Sequence, residues 1–265
     1  MKKILLSLMT FLMVMGATFA ATYNAESKVT TIGSKLLTKN SIPSSNIKFE
    51  VTAKTVDNSS FATDRTVSIS KSDLAYAQND NETAAVIANE LGHIISGHAA
   101  KGKLLSSITG DTSTNATTTV AGGFVEDYQN TKAEKEADVI AVNLMANAGY
   151  NPLAAIVVLT KHNATYWSAI MGEPANAQRA MNIYDYANYA YPNSTKSGYN
   201  CIEYKNFLTY ANTVLAKRKE NKKLQSKSQK ELKKYRKNSV SQITKFKTRG
   251  GLSGWDAAYG LLNGN

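Results

Sequence analysis

The chain has 265 residues, of which 43% are hydrophobic and 19% are charged, and its formal net charge is +11. This length leaves room for one sizeable core with appendages. The single cysteine, Cys201, excludes an internal disulfide and a zinc site built from cysteines. Residues 217–249 contain fourteen Lys or Arg and two Glu, so the basic character belongs to that segment and not to the core.

The N-terminus predicts a secretory signal peptide over residues 1–20. Lys2 and Lys3 precede an apolar run from Ile4 to Ala17, and small residues precede a cleavage point after Ala20. The run of about 14 residues is shorter than the roughly 20 that a spanning helix needs. We therefore expect an exported protein, periplasmic or secreted, and the alternative is a membrane anchor that is retained.

The first half of the predicted domain combines helices with a small sheet. A helix is expected over 25–38, and strands are expected over 46–54 and 66–70, where apolar and polar residues alternate. Next comes a buried helix over 82–100, capped by Asn81 or Asp80. These elements indicate an α+β fold that is mainly helical.

The second half is predicted to be helical. After a polar loop over 106–123, helices are expected over 131–148, 152–159 and 175–191, the first of them closed by Gly149. A polar linker over 193–200 precedes an apolar stripe that can dock on the core, formed by Tyr204, Leu208, Ala211 and Leu215. Residues 217–237 have helical propensity without an apolar face, and one short amphipathic helix is expected around Trp255 and Leu261. The predicted units are a signal peptide (1–20), one domain (21–200) and a basic helical extension (201–265).

The segment Ala88–His98, with the sequence ANELGHIISGH, contains the residues that suggest chemistry. Glu90 and His93 are three residues apart, on neighbouring parts of one helix face. In the zinc peptidase motif H-E-x-x-H, two histidines bind the metal and the glutamate is the base. Asn89 occupies the first histidine position here, so the motif alone is weak evidence.

A second group of acidic residues follows about forty residues later. Glu134 and Asp138 are four apart, so one helical turn presents two carboxylates on the same side. Such a pair can supply a metal ligand and a carboxylate that supports the site. The alternative is a solvated acidic turn that the helix dipole favours.

Together these segments resemble the HtpX-like, or CAAX prenyl endopeptidase, family of zinc metallopeptidases. The resemblance spans about residues 45–192 and is closer to the soluble periplasmic branch. Its segments are NETAAVIANELGHIISGH (81–98), EKEAD (134–138), AGYNP (148–152) and Glu173-Pro174 with Arg179. The family patterns are HELGHxxxGH, ExEAD, AGYxP and HPxxxxR, in this order.

The resemblance implies a zincin-like core with a small β-sheet beside the active-site helix. It implies that His93 and Glu134 bind one zinc ion, that Glu90 is the general base, and that Asp138 and Arg179 support the ligands. It also implies that an edge strand near Thr66–Ser70 holds a protein or peptide substrate, which adds to the sheet as an extended strand.

Two positions depart from the family pattern, and both lie in the site. Asn89 replaces a ligand histidine, and Glu173 replaces the histidine before Pro174. A carboxylate binds zinc, so Glu173 is a candidate substitute ligand. His98 would point about 140° away from His93 on a continuous helix, as expected of a structural histidine. His162 is predicted to lie on the surface.

These departures leave two functions open. The first is a zinc metalloendopeptidase that acts on envelope or secreted proteins with a weakened or rebuilt metal site. The second is a catalytically inactive relative that binds peptides or proteins in the manner of a chaperone. In that case the Asn89 amide would donate a hydrogen bond to Asp138 and hold the two helices together without metal.

The basic segment 217–249 predicts an anionic partner, and in an exported protein the envelope surface is the expected one. Specific nucleic-acid binding is not expected, because Tyr235 and Phe246 are too few aromatic residues for stacking. The alternative is a solvated segment with no specific partner.

Overall fold

The computed structural model describes residues 24–44, 47–53, 61–62, 65–101, 104, 123–161 and 174–262. Four predictions lie outside these residues: the signal peptide, the polar loop after residue 105, His162 and Glu173.

A three-stranded sheet forms from β1 (Lys48–Thr52), β2 (Phe61–Ala62) and β3 (Thr66–Ser70). β1 runs parallel to β3, with Lys48 opposite Thr66, and β2 runs antiparallel to β3 on its other side. The strand order is therefore β1-β3-β2. The two longer strands were predicted from alternation, and that prediction is confirmed.

The prediction that Thr66–Ser70 is an edge strand is wrong, because β2 covers its second side. Two features made the central position of β3 hard to predict from the sequence. β2 is only two residues long, and the polar residues of β3 are buried instead of facing solvent. Ser68 is 1% exposed and donates a hydrogen bond to the Glu50 carboxylate at 2.8 Å.

The helices begin with α1 at residues 24–39 and α2 at Lys71–Tyr76. They continue with α3 (Asp80–Ser96), α4 (98–101 and 104), α5 (Gly123–Asn147), α6 (Ala154–Lys161) and α7 (Pro174–Ala190). The last four are α8 (Pro192–Thr195), α9 (Ile202–Lys219), α10 (Lys222–Thr248) and α11 (Gly254–Leu262). A mainly helical α+β fold with a small sheet is thus confirmed. None of the helices in the described ranges is both long enough and apolar enough to cross a bilayer.

Both ends of α3 differ from the prediction by a few residues. Asn79 caps the helix, because its side chain accepts a hydrogen bond from the Glu82 amide at 3.1 Å. Glu82 returns the interaction by accepting from the Asn79 side chain at 2.8 Å. This reciprocal capping fixes the start earlier than the predicted Asp80 or Asn81. Gly97, at φ +69°, ends the helix before Ala100.

α3 and α5 approach each other closely at a glycine. A Cβ atom on Gly92 would lie 2.5 Å from the Ala137 carbonyl oxygen. The two backbones therefore come together where no side chain can intervene. This contact places Asn89 and His93, on either side of Gly92, opposite the acidic residues of α5.

The C-terminal helices pack against this core. Of the predicted docking stripe, Tyr204 and Ala211 are buried, and Leu208 and Leu215 are half-buried. Phe207, which the prediction did not include, is also buried. The far half of α10 is also anchored, since Ile243 and Phe246 join the core around α3 and α5. The predicted C-terminal helix is present as α11.

Candidate functional site

The candidate site lies in the seam between α3 and α5. α3 contributes Asn89, Glu90 and His93 within little more than one turn, and α5 contributes Glu134 and Asp138 one turn apart. Arg179 enters from α7 and contacts both carboxylates of α5. We call these six side chains the seam cluster. They are the predicted site residues, apart from Glu173, which lies outside the described residues.

One end of the seam cluster holds the His93–Glu134 pair. His93 Nε2 lies 3.3 Å from Glu134 Oε1. Two ligands of one tetrahedral zinc ion are also about 3.3 Å apart, because each lies about 2 Å from the metal. The pair therefore has the separation that two zinc ligands require.

The charges of this pair stabilise each other. Burial alone would raise the pKa of Glu134, but the His93 hydrogen bond and the Arg179 charge outweigh it and lower that pKa to about 2. Burial would lower the pKa of His93, but Glu134 outweighs that effect and raises it. Glu134 is consequently ionised at neutral pH.

The other end of the seam cluster is closed by hydrogen bonds. Asn89 Nδ2 donates to Asp138 Oδ1 at 2.9 Å. This confirms the hydrogen bond expected if the amide takes the structural role of the missing histidine. Arg179 donates to both oxygens of Asp138, at 2.9 and 2.8 Å, and its Nη2 lies 2.8 Å from Glu134 Oε2.

Glu90 has the environment of a proton acceptor that works near neutral pH. Burial raises its pKa to about 7, although the nearby His93 charge acts in the opposite direction. The negative charge of Glu134 raises it further. A carboxylate tuned to this range matches what general-base catalysis requires.

His98 lies beside His93, and the prediction that it points away is wrong. The two Nδ1 atoms are 2.9 Å apart, and the rings meet edge to face with centroids 4.9 Å apart. The physical reason is Gly97, whose left-handed backbone ends α3 and turns the chain back. A 100° step per residue therefore does not apply between positions 93 and 98.

His98 also links the site to Glu136. Its Nε2 lies 3.5 Å from Glu136 Oε2. One ring of the histidine pair must donate and the other accept, so His98 constrains the tautomer of His93. The sequence signal for this link is the Gly97-His98 dipeptide, because a glycine at a helix end favours a left-handed turn.

The donor set does not fit a complete zinc site. Catalytic zinc sites use three protein ligands and structural sites use four. Within the described part of the chain, no group of three His, Cys, Asp or Glu side chains is positioned to hold a metal ion. His93 and Glu134 have suitable geometry, but the Asn89 amide nitrogen is turned to Asp138. Among the described residues, two candidate ligands are thus present where the family pattern has three.

Comparison with known families matches residues 23–196 to Peptidase family M48. The chain belongs to this family. M48 proteins are metallopeptidases and are generally zinc-dependent. The matched region covers the sheet and the seam cluster, and it ends before α9. No match was found among curated proteins or among solved structures.

Proposed function

We propose that this M48 chain binds extended peptide segments of envelope or secreted proteins and has lost most or all metal-dependent cleavage. Its resemblance to the HtpX-like soluble periplasmic branch supports an exported, peptide-recognising protein. One observation carries the proposed loss of cleavage. The Asn89–Asp138 hydrogen bond occupies the position of a ligand histidine and joins α3 to α5 without a metal ion.

The Glu134 and Asp138 carboxylates of the seam cluster are paired with other side chains of the cluster. Arg179 neutralises Asp138 through two hydrogen bonds and also contacts Glu134, which in turn contacts His93. Buried carboxylates left without such partners would destabilise the protein strongly. We therefore expect the scaffold to stay assembled without zinc, as the proposed binding function requires.

The sheet offers a place for the peptide beside α3. β2 and β3 both contact α3, and β2 forms the edge of the described sheet on that side. A peptide that adds to β2 as a further strand would lie next to the seam cluster. This moves the proposed peptide position from β3 to β2.

A second candidate is a zinc metalloendopeptidase with a weakened or rebuilt site. It is favoured by the ligand-like separation of His93 and Glu134 and by the near-neutral pKa of Glu90. In that case Glu173 is the proposed third ligand, in place of Asn89. The two candidates differ in turnover and in the effect of changing Glu90.

The test combines peptide binding with cleavage on the same purified protein. Binding is followed by fluorescence anisotropy with labelled unfolded casein, and cleavage is followed by gel electrophoresis with added zinc. We expect binding without cleavage in the native protein and in Glu90→Gln, and cleavage in Asn89→His. Zinc-dependent cleavage by the native protein that Glu90→Gln abolishes would establish the second candidate. Absence of binding in all three proteins would overturn the proposal.

A further inference from the structure

α10 presents a ridge of lysines opposite the face that docks on the core. The residues that anchor the helix are Ser239, Ile243 and Phe246, with Leu232 and Tyr235 half-buried on the same side. Eight of the nine lysines of α10 fall on the other half of the helix surface at 100° per residue, and all eight are exposed. These eight are Lys222, Lys223, Lys227, Lys230, Lys233, Lys234, Lys237 and Lys245. The ninth, Lys247, is half-buried at the border of the docking face.

The ridge is long, and its charges are free to act on a partner. It extends over about 38 Å at 1.5 Å per residue. Lys223, Lys227, Lys230 and Lys234 line an open groove along one side of the helix, together with Ser226 and Glu231. No carboxylate in the described part of the chain forms a salt bridge with any of the nine lysines.

An apolar helix follows the ridge. α11 buries none of its residues, and Leu261 and Leu262 are 82% and 64% exposed. Trp255 is 39% exposed, and the Lys101 ammonium lies 5.6 Å from its ring centre. A short helix that exposes Trp and Leu beside basic residues is typical of segments that lie in a membrane interface.

α11 is fixed in position relative to the seam cluster. A Cβ atom on Gly97 would lie 2.1 Å from Ser253 Oγ and 3.2 Å from Trp255 Cβ. The start of α11 is therefore seated on the glycine that ends α3 and precedes His98. A surface that binds α11 would therefore also lie close to α3, which carries the site residues.

We propose that the α10 ridge and α11 form a peripheral binding surface for an anionic lipid bilayer. The ridge supplies a long row of cations for headgroup phosphates, and α11 supplies apolar side chains for the acyl boundary. A soluble polyanion would use the ridge but would gain nothing from Leu261 and Leu262. Nucleic acid is disfavoured because the lysine half of α10 carries no aromatic residue for base stacking.

The test measures partition of the mature protein between buffer and sucrose-loaded vesicles. Vesicles of phosphatidylcholine alone are compared with vesicles containing about one third phosphatidylglycerol. The ridge variant carries Lys223→Glu, Lys227→Glu, Lys230→Glu and Lys234→Glu. Its matched control reverses four exposed lysines elsewhere: Lys39→Glu, Lys71→Glu, Lys196→Glu and Lys205→Glu. Circular dichroism confirms that both variants keep their helix content.

We expect the native protein to prefer anionic vesicles by at least about ten-fold and the ridge variant to lose that preference, because each lysine near the surface contributes separately. The control should keep it within about three-fold, allowing for long-range charge effects. Leu261→Ser with Leu262→Ser should weaken vesicle binding several-fold and leave heparin binding unchanged. Equal partition to both vesicle types, or equal loss in ridge variant and control, would overturn the proposal. Vesicle binding insensitive to the leucine changes would assign the ridge to a polyanion instead.

Discussion

The two ends of the seam cluster use the same helices to opposite effect. At one end, His93 and Glu134 face each other at the separation of two metal ligands. At the other end, Asn89 and Asp138 are joined by a direct hydrogen bond, with no space for an ion between them. With an Asn89 amide at the position of a family imidazole, α3 still packs against α5. The buried Asp138 carboxylate then accepts a hydrogen bond from an amide instead of supporting a ligand histidine.

Arg179 makes the two ends interdependent. It binds Asp138 through two nitrogens and reaches Glu134 with one of them. In this chain, charge pairing and one amide hydrogen bond connect the candidate ligand residues at one end to the supporting residues at the other.

The largest effect is expected from Asp138→Ala. It leaves Arg179 and Asn89 buried without their shared acceptor, and breaking a buried pair in this way costs about 3–5 kcal/mol. The free energy of unfolding in urea measures it. Asp185→Ala is the matched control, because Asp185 pairs with the more exposed Arg218 and its loss should cost about 1 kcal/mol. Equal losses of unfolding free energy in the two variants would show that the buried Asp138 pairing stabilises the fold no more than the more exposed Asp185–Arg218 pair does.

The close approach of α3 to α5 can be tested at Gly92. Gly92→Ala should cost about 2 kcal/mol, because the added methyl group meets the Ala137 backbone, which cannot move as a side chain would. Gly149→Ala has open space but a positive φ, so it should cost about 1 kcal/mol. Urea unfolding of both variants gives the comparison. A harmless Gly92→Ala would mean that the seam is looser than described.

Glu90 and Glu134 should give pH dependences of opposite sign. The pKa of Glu90 is raised from 4.5 to about 7 in the folded protein, so unfolding releases its proton and stability is lost as pH rises through that range. The free energy of unfolding of Glu90→Gln should equal that of the native protein at pH 4 and exceed it by about 2 kcal/mol at pH 8.

For Glu134 the folded pKa of about 2 lies below the ordinary 4.5. Its contribution is present above that ordinary value and is lost as pH falls towards 2. Glu134→Gln should therefore destabilise the protein at pH 7 but make little difference near pH 2. Urea unfolding across pH 2–8 measures both variants. Parallel pH profiles would contradict the assigned environments.

The smallest effect on stability is expected from Asn89→Ala. It removes one hydrogen bond to Asp138 while Arg179 still satisfies that carboxylate, so the cost should be about 1 kcal/mol. Asn188→Ala is the control, since Asn188 bonds only to Tyr184 of its own helix. Thermal unfolding should show a larger decrease in melting temperature for Asn89→Ala than for Asn188→Ala. The reverse order would show that Asn89 does not stabilise the contact between α3 and α5.

Local sequence patterns predicted the elements that build the site. Alternation located β3 to the residue, and helical spacing placed Glu90 and His93 together and Glu134 with Asp138. The Asn89–Asp138 hydrogen bond was predictable from the family resemblance, which assigns both positions to one site. These features depend on periodicity and on one pair of facing helices.

The features that sequence reasoning missed depend on single backbone conformations or on distant contacts. Gly97 returns His98 to His93, and no periodicity signals a left-handed residue. The anchoring of α10 depends on Ser239, which accepts a hydrogen bond from Asn143, ninety-six positions away. A two-residue strand such as β2 is too short to leave a pattern.

The central claim is that Asn89 replaces a metal ligand with a hydrogen bond, and zinc content tests it most directly. Native protein, Asn89→His and Asn89→Ala are loaded with zinc, dialysed against a weak chelator and analysed by atomic emission. We predict well below one zinc per chain in the native protein and in Asn89→Ala, and about one in Asn89→His, because a third ligand completes the site. One zinc per chain retained equally by all three proteins would contradict the account.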